Sequence, residues 1–127
     1  MPAPADAPTL YLLPTCSTCR RIRETLAAEA EWRLRDIRAE PLGAAELAEL
    51  ARLAGGYEAL FSRRARLYRE RGLHERDDLS EDDYRDLLLE HYTFLKRPVM
   101  RVGERVWAGS AKPVVSAAAA AAAETTG

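Results

Sequence analysis

The sequence predicts an α/β fold in which a four-stranded mixed sheet carries a helical insertion, and three stretches lead to that prediction. A strand, a helix and a second strand fill residues 9–37, and a series of helical patterns follows over residues 41–92. A hairpin with a final helix then ends the pattern. The 127 residues suit a single domain that spans the whole chain, because this length supports one core and not two.

The first stretch predicts a β-α-β unit. Residues 9–13 are apolar and aromatic, which is typical of a buried strand, and Pro14 ends the run. Residues 17–31 place apolar side chains at helical spacing against an Arg/Glu face, so we expect a helix that lies on a sheet. Residues 32–37 partly alternate and predict a second strand, parallel to the first because a helix separates them.

The insertion contains three helical patterns and a further helical turn over residues 57–61. The first begins at Pro41 and carries a leucine stripe that a glycine pair ends. The second is a short helix over residues 67–73. The third starts at the capping-box residue Ser80 and runs to about His91, which we interpret as a helix-end residue that interacts with exposed carbonyl groups.

The last stretch predicts an antiparallel hairpin followed by a helix. Residues 95–102 and 105–108 read as its strands, and a glycine-containing turn joins them. A final helix runs from Pro113 through the alanine-rich segment to about Ala123. The order of all the elements is that of the thioredoxin/glutaredoxin-like fold, enlarged by the helical insertion.

Composition narrows the classes of function. Nineteen basic and twenty acidic residues leave a net charge of −1, so no global field favours nucleic acid or an anionic membrane. No apolar run is long enough to span a membrane, and the N-terminus lacks the pattern of a secretory signal. We therefore expect a cytoplasmic protein, with flexible tails at residues 1–8 and 124–127.

The pair Cys16 and Cys19 has C-x-x-C spacing and stands where the first helix begins. In a reducing compartment this spacing indicates a catalytic or sensing disulfide and not a structural one. The helix N-terminus favours the thiolate, so we expect a low pKa for Cys16, lowered further by Arg20 one turn along. A zinc site is the alternative, but it would need His74 and His91 as ligands from unpatterned positions.

Further arginines and one proline are candidates for the same site. The segment with Arg63 and Arg64 is either a solvated loop or an anion clamp, and the charge run alone favours the loop. Pro98 follows Lys96 and Arg97 at the start of a strand, which makes it the candidate for the cis-proline that this fold places opposite its reactive cysteine. Arg97 would then point at Cys16.

Together these residues resemble the arsenate reductase family of the ArsC/Spx type, over almost the whole chain. The matching features are Cys16-x-x-x-Arg20, Ala59-Leu60-Phe61, Tyr68 through Leu73, Leu87-Leu88-Leu89-Glu90, Lys96-Arg97-Pro98-Val99 and Gly109. The resemblance implies the glutaredoxin-like fold and reduction of arsenate to arsenite through a thiolate adduct.

The resemblance also implies a role for each candidate residue. Cys16 would be the nucleophile and Arg20 its activator, and Cys19 could close a disulfide with Cys16 that releases arsenite. The substrate site would contain Arg97 as the main oxyanion ligand, Arg63 or Arg64 as the second, and Pro98 beside them. No bound cofactor or metal is implied. Thioredoxin, or glutathione with glutaredoxin, would regenerate the thiols.

Two alternatives remain open at this point. The C-x-x-C itself resembles the Spx branch, whose members are redox-switched regulators that bind the RNA polymerase α subunit. A general thiol–disulfide reductase of unknown substrate is the other alternative. We expect no membrane partner and no direct nucleic-acid partner, with RNA polymerase a partner only under the regulatory alternative.

Overall fold

A computed structural model of the chain describes residues 7–28 and 30–126. The flexible tails predicted at residues 1–8 and 124–127 fall partly on residues 1–6 and 127, which lie outside the described residues. Pro8 is fully buried, and its carbonyl accepts a 2.7 Å hydrogen bond from the Arg33 N–H. The predicted leader is therefore too long at its inner end.

The sheet has four strands in the order β2-β1-β3-β4. Their bounds are β1 Thr9–Leu12, β2 Arg33–Asp36, β3 Val99–Val102 and β4 Arg105–Ala108. β2 is parallel to β1, whereas β3 is antiparallel to both β1 and β4. This arrangement confirms the predicted mixed sheet, and its crossover runs through helix α1 (Ser17–Ala27).

Contacts divide the described chain into two compact units. The first contains the described residues up to Glu40 and from Arg97 onward, and the second is Pro41–Lys96. In the first unit, side chains of β1 and β3 pack against α1 and the final helix α5 (Lys112–Thr126). The shared cluster consists of Leu10, Leu12, Cys19, Ile22, Leu26, Met100, Val115 and Ala118.

The two helices of the first unit end at other residues than predicted. α1 stops at Ala27 and not at the predicted Glu31. At this end of the helix the Trp32 indole N–H donates to the Leu26 carbonyl at 3.2 Å. This bond satisfies one of the carbonyl groups that a helix end leaves open. α5 continues to Thr126, beyond the predicted end at Ala123, as its alanine content favours.

The second unit is helical. It contains α2 Ala44–Ala54, α3 Arg66–Glu70 and α4 Glu81–Glu90, with 3-10 turns at Glu58–Leu60, Leu73–Glu75 and Tyr92–Phe94. α2 begins three residues after the predicted Pro41 and ends, as predicted, at Gly55, whose φ of 99° is left-handed. α4 begins with the predicted capping box between Ser80 and Asp83.

Aromatic rings form the centre of the second unit. The Phe61 ring lies 4.9 Å from that of Tyr84, 5.3 Å from that of Phe94 and 5.8 Å from that of Tyr68, measured between centroids. A carboxylate fastens the neighbouring turn, because Glu81 accepts hydrogen bonds from the N–H groups of Tyr57 and Glu58 at 2.7 and 3.0 Å. The start of α4 is thereby tied to the Glu58–Leu60 turn.

His91 lies at the end of α4, and its Nδ1 accepts a 3.0 Å hydrogen bond from the Thr93 N–H. This contact agrees with its interpretation as a helix-end residue. Across the described residues, no helix combines the length and apolar character that a membrane span requires.

Candidate functional site

The chain makes a tight turn between β1 and α1, and this turn presents Cys16. The Cys16 N–H donates to the Leu13 carbonyl at 2.9 Å, with exposed Pro14 and Thr15 at the corners. Cys16 is the N-cap of α1, with the extended backbone angles φ −83° and ψ 121°, and its thiol is half-buried. Cys19, one turn further, is fully buried in the cluster beneath the helix, and both thiols are free.

The pKa of Cys16 is lowered from its ordinary value. Burial acts in the opposite direction and is the largest single influence, but four favourable interactions outweigh it. They are hydrogen bonds from the Cys19 N–H, the Cys19 thiol and the Thr18 N–H, together with the positive charge of Arg97. Cys16 is therefore the thiol that ionises first.

The pKa of Cys19 moves the other way, to about 11. Burial is the largest cause, and the negative charge of Cys16 adds to it, while a backbone hydrogen bond with Leu13 and the charge of Arg97 oppose it. The two thiols thus form an asymmetric pair, with an ionisable outer sulfur and a protonated inner one.

Arg97 precedes Pro98 through a cis peptide bond, at the position that the sequence identified as the cis-proline candidate. Arg97 is half-buried, and Pro98 is buried, with its carbonyl accepting a 2.9 Å hydrogen bond from the Gly109 N–H. The Arg97 charge lowers the pKa of both thiols. The structure therefore places Arg97, Pro98, Cys16 and Cys19 in one unit around the start of α1.

Arg20 is exposed on α1, and its backbone N–H donates to the Cys16 carbonyl at 3.0 Å. The strongest charge acting on the Cys16 thiol is that of Arg97 and not that of Arg20. The activating role expected for Arg20 remains a prediction.

Arg63 and Arg64 lie in the second unit and differ in their surroundings. The Arg63 guanidinium donates to Tyr84 Oη at 3.1 Å and to Glu58 Oε2 at 2.9 Å, and these two bonds raise its pKa. Arg64 is exposed, and its guanidinium forms no ion pair with any described residue. The oxyanion-binding role of either arginine remains a prediction from the family resemblance.

Sequence reasoning missed the partners of these groups. Tyr84 follows Arg63 by 21 residues, so no local spacing pattern links the two side chains. Glu58 precedes Arg63 by five residues and lies on a 3-10 turn, so the usual i, i+4 pairing pattern gave no signal. The only signal in the sequence for the ion pair of Arg63 is that an acidic residue, Glu58, precedes it at a short distance.

A metal centre finds no support in the part of the chain that the structure describes. Within residues 7–28 and 30–126, no group of three or more His, Cys, Asp or Glu side chains is placed to hold an ion.

Comparison with known proteins identifies the family of this chain and its relatives by sequence. The family model described as "ArsC family" matches residues 11–117. Relatives matched by sequence carry the name "Global transcriptional regulator Spx", and the one from Enterococcus faecalis is 33% identical over 103 residues, covering 80% of this chain and 77% of that protein.

Two solved structures show the same fold. An ArsC family related protein from Bacteroides fragilis superimposes with a TM-score of 0.78 at 22% identity, over 91% of this chain and 99% of that one. An arsenate reductase from Vibrio cholerae superimposes with a TM-score of 0.75 at 21% identity, over 89% and 98% of the two chains. At these identities the likeness concerns the fold alone.

Proposed function

The chain belongs to the ArsC family, and from that premise we propose that it is a thiol-dependent oxidoreductase that reduces arsenate to arsenite through Cys16. One observation carries the proposal: two thiols three residues apart have pKa values displaced in opposite directions. This asymmetry suits a nucleophile and a resolving thiol.

Cys16 makes the first bond. Its thiolate attacks arsenic(V), and a hydroxide ligand leaves as water after taking a proton, so that a sulfur–arsenic bond replaces an oxygen–arsenic bond. Arsenate is an anion, and a cation must offset its charge before an anionic sulfur can approach. Arg97 suits that role, because its charge already acts on the thiol.

Cys19 completes the reduction. Once deprotonated, its sulfur attacks the Cys16 sulfur and forms the disulfide, while the electron pair of the sulfur–arsenic bond passes to arsenic. Arsenic(V) becomes arsenic(III), and arsenite leaves. Two thiols supply the two electrons, so an external thiol reductant must reduce the disulfide before the next turnover.

Arsenite formation by the purified protein tests the proposal. Arsenate is supplied with thioredoxin and its reductase in one series and with glutathione and glutaredoxin in another. Cys16→Ser should abolish turnover, because it removes the nucleophile, and Ser17→Ala is the matched control at the next, exposed position. Cys19→Ser should abolish turnover only if the disulfide is intramolecular. Unchanged turnover in Cys16→Ser, or none in the wild type, would refute it.

A regulator of the Spx kind is the second candidate function, and two observations favour it. The 33% identical relative bears that name, and the C-x-x-C spacing is present here at Cys16 and Cys19. A regulator of this kind would bind RNA polymerase in a manner that depends on the redox state of the two cysteines. Co-purification with RNA polymerase, abolished by reduction or by Cys16→Ser, together with no arsenite formation, would establish this alternative.

A further inference from the structure

The exposed side of α1 carries three guanidinium groups close to the N-terminus of the helix. Arg20, Arg21 and Arg23 are exposed, and within the described residues none of them forms an ion pair. Glu24 is the one acidic residue of the helix. Cations in the first turns oppose the positive N-terminal end of the helix dipole. The helix dipole therefore does not favour the positive charges of this arginine face of α1.

The same face borders the only sulfur of the C-x-x-C that an incoming thiol can reach. Cys19 is 0% exposed, whereas Cys16 is half-buried at the N-cap, so a reductant must approach the disulfide at Cys16. Arg23 lies seven positions after Cys16, which corresponds to about 10 Å along a helix. All three arginines are thus within about 10 Å of the point of attack, measured along the helix axis.

A protein reductant cannot avoid these arginines. Transient redox complexes cover about 600 Å² on each partner, which corresponds to a disc of about 14 Å radius. A disc of that size centred on Cys16 reaches past Arg23. Unpaired like charges inside an interface favour a partner of opposite charge and disfavour one of the same charge.

We propose that the arginine face of α1 is the docking surface for the protein that reduces the Cys16–Cys19 disulfide, and that this partner is a dithiol protein with an acidic surface around its reactive thiol. The inference rests on the proposed function only in requiring that the disulfide forms. Complementary charge raises the association rate by about 10-fold or more and makes it sensitive to salt.

The exchange itself is balanced by the two thiols of the partner. The partner's thiolate attacks the Cys16 sulfur, and the Cys16–Cys19 bond breaks. Cys19 leaves as a thiolate and takes a proton. The partner's second thiol then attacks the partner's own sulfur in the mixed disulfide and releases Cys16 as a thiolate. The partner ends oxidised, and this chain ends with two free thiols.

Disulfide reduction can be measured without arsenate. The oxidised full-length protein is mixed with an excess of an acidic bacterial thioredoxin, the reaction is quenched with an alkylating agent, and the alkylated thiols are counted by mass spectrometry at 20 and 300 mM NaCl. Arg21→Glu and Arg23→Glu are the test variants. Arg105→Glu is the matched control, since it makes the same charge change on β4, at the opposite end of the sheet.

Each test variant should react with thioredoxin about fivefold more slowly than the wild type at low salt, and the difference should shrink at high salt. Arg105→Glu should stay within about twofold of the wild type. Dithiothreitol, an uncharged reductant, should reduce all four proteins at rates within about twofold of one another.

Three results would overturn the proposal. They are equal rates for the test and control variants with thioredoxin, an equal loss of rate with dithiothreitol, and no reduction by thioredoxin at all. The first of these results, combined with a loss of rate with glutathione, would assign the face to a small anionic thiol and not to a protein. Absence of arsenate turnover would refute the proposed function and leave this result intact.

Discussion

Cys16 and Cys19 differ because three hydrogen-bond donors stabilise the anion of Cys16, whereas only the Leu13 N–H does so for Cys19. Burial disfavours ionisation of both. Cys16 stands at the N-cap, where N–H groups without helical partners point at its sulfur, while Cys19 faces the apolar cluster. The different surroundings of two sulfurs three residues apart therefore make Cys16 the more nucleophilic thiol and keep Cys19 protonated.

Removal of the Arg97 charge should raise the pKa of Cys16. Arg97→Met leaves a side chain of similar length but takes away the cation that favours the thiolate. The rate of Cys16 alkylation by iodoacetamide, followed against pH, reports this pKa directly, and its midpoint should move upward. Arg105→Met is the control and should leave the midpoint in place. An unchanged midpoint in Arg97→Met would mean that the charge of Arg97 does not act on the sulfur.

The buried Cys19 thiol should make stability fall with pH in alkaline solution. An unfolded thiol releases its proton near pH 8.5, whereas Cys19 keeps its proton until about pH 11. Between these values the folded state binds more protons, so the free energy of unfolding decreases as pH rises, by about 3 kcal/mol in all. Below pH 8 this contribution is constant.

Urea denaturation from pH 8 to 11 measures that decrease. Cys19→Ala is less stable at every pH because it leaves a cavity, but it should lose the part of the slope that Cys19 contributes. Cys16→Ser should retain most of that slope, since burial is the largest cause of the Cys19 shift. The same slope in wild type and Cys19→Ala would show that the thiol ionises normally in the folded protein.

Among the elements, the turn after α2 depends on a glycine that lies against a carboxylate. At Gly56, φ is 138°, and an added Cβ would lie 2.8 Å from Glu81 Oε1, the oxygen that accepts from the Tyr57 N–H. At Gly55, φ is 99°, and a Cβ would meet nothing within 4 Å. An alanine would be strained at either position. Only at Gly56 would it also displace the Glu81 carboxylate that ties α4 to the neighbouring turn.

Gly56→Ala should therefore destabilise the protein by about 1 kcal/mol more than Gly55→Ala. Gly43→Ala is a further control, because its φ of −79° is ordinary and its surroundings are open. Thermal denaturation of the three variants gives the order. If the clash with Glu81 accounts for part of the loss, Glu81→Ala should reduce the effect of Gly56→Ala. Equal losses of stability in Gly55→Ala and Gly56→Ala would show that the Glu81 carboxylate has no influence on the substitution.

The strands could be predicted from the sequence, and so could the helix ends that carry a local signal, such as Gly55 after α2 and the capping box of α4. The strands follow from the apolar run of β1, the partial alternation of β2 and the glycine turn of the hairpin, which are local patterns. The end of α1 depends instead on the Trp32 indole reaching the Leu26 carbonyl, a contact that no periodicity shows. The same distinction holds for the candidate site. The cysteine spacing and Pro98 can be recognised in the sequence, whereas the hydrogen bond between Arg63 and Tyr84 joins residues far apart in the chain.

For the molecule as a whole, charge is balanced and largely at the surface. The net charge is −1, and both side chains of the pair Arg71–Glu90 are more than a third exposed, as are those of Arg63–Glu58. Exposed pairs contribute about 0 to 1 kcal/mol each, and salt screens them. Each compact unit also has buried apolar side chains of its own, which salt does not weaken.

Salt should therefore change stability little while it changes partner association strongly. Between 20 and 300 mM NaCl, we expect the free energy of unfolding to move by less than about 1 kcal/mol. Urea denaturation at the two NaCl concentrations measures this change in the free energy of unfolding. The rate at which dithiothreitol reduces the disulfide at the same two concentrations is the parallel control. A larger loss of stability would show that ion pairs, and not the apolar cores, hold the fold.

Both tryptophans of the chain, Trp32 and Trp107, pack against the cluster that contains Cys19, as Cys16 does. Sulfur quenches indole emission at short range, so opening or closing the disulfide should alter the intrinsic fluorescence of the protein. The molecule thus carries its own optical probe, and each half of its redox cycle can be followed by stopped-flow without any label.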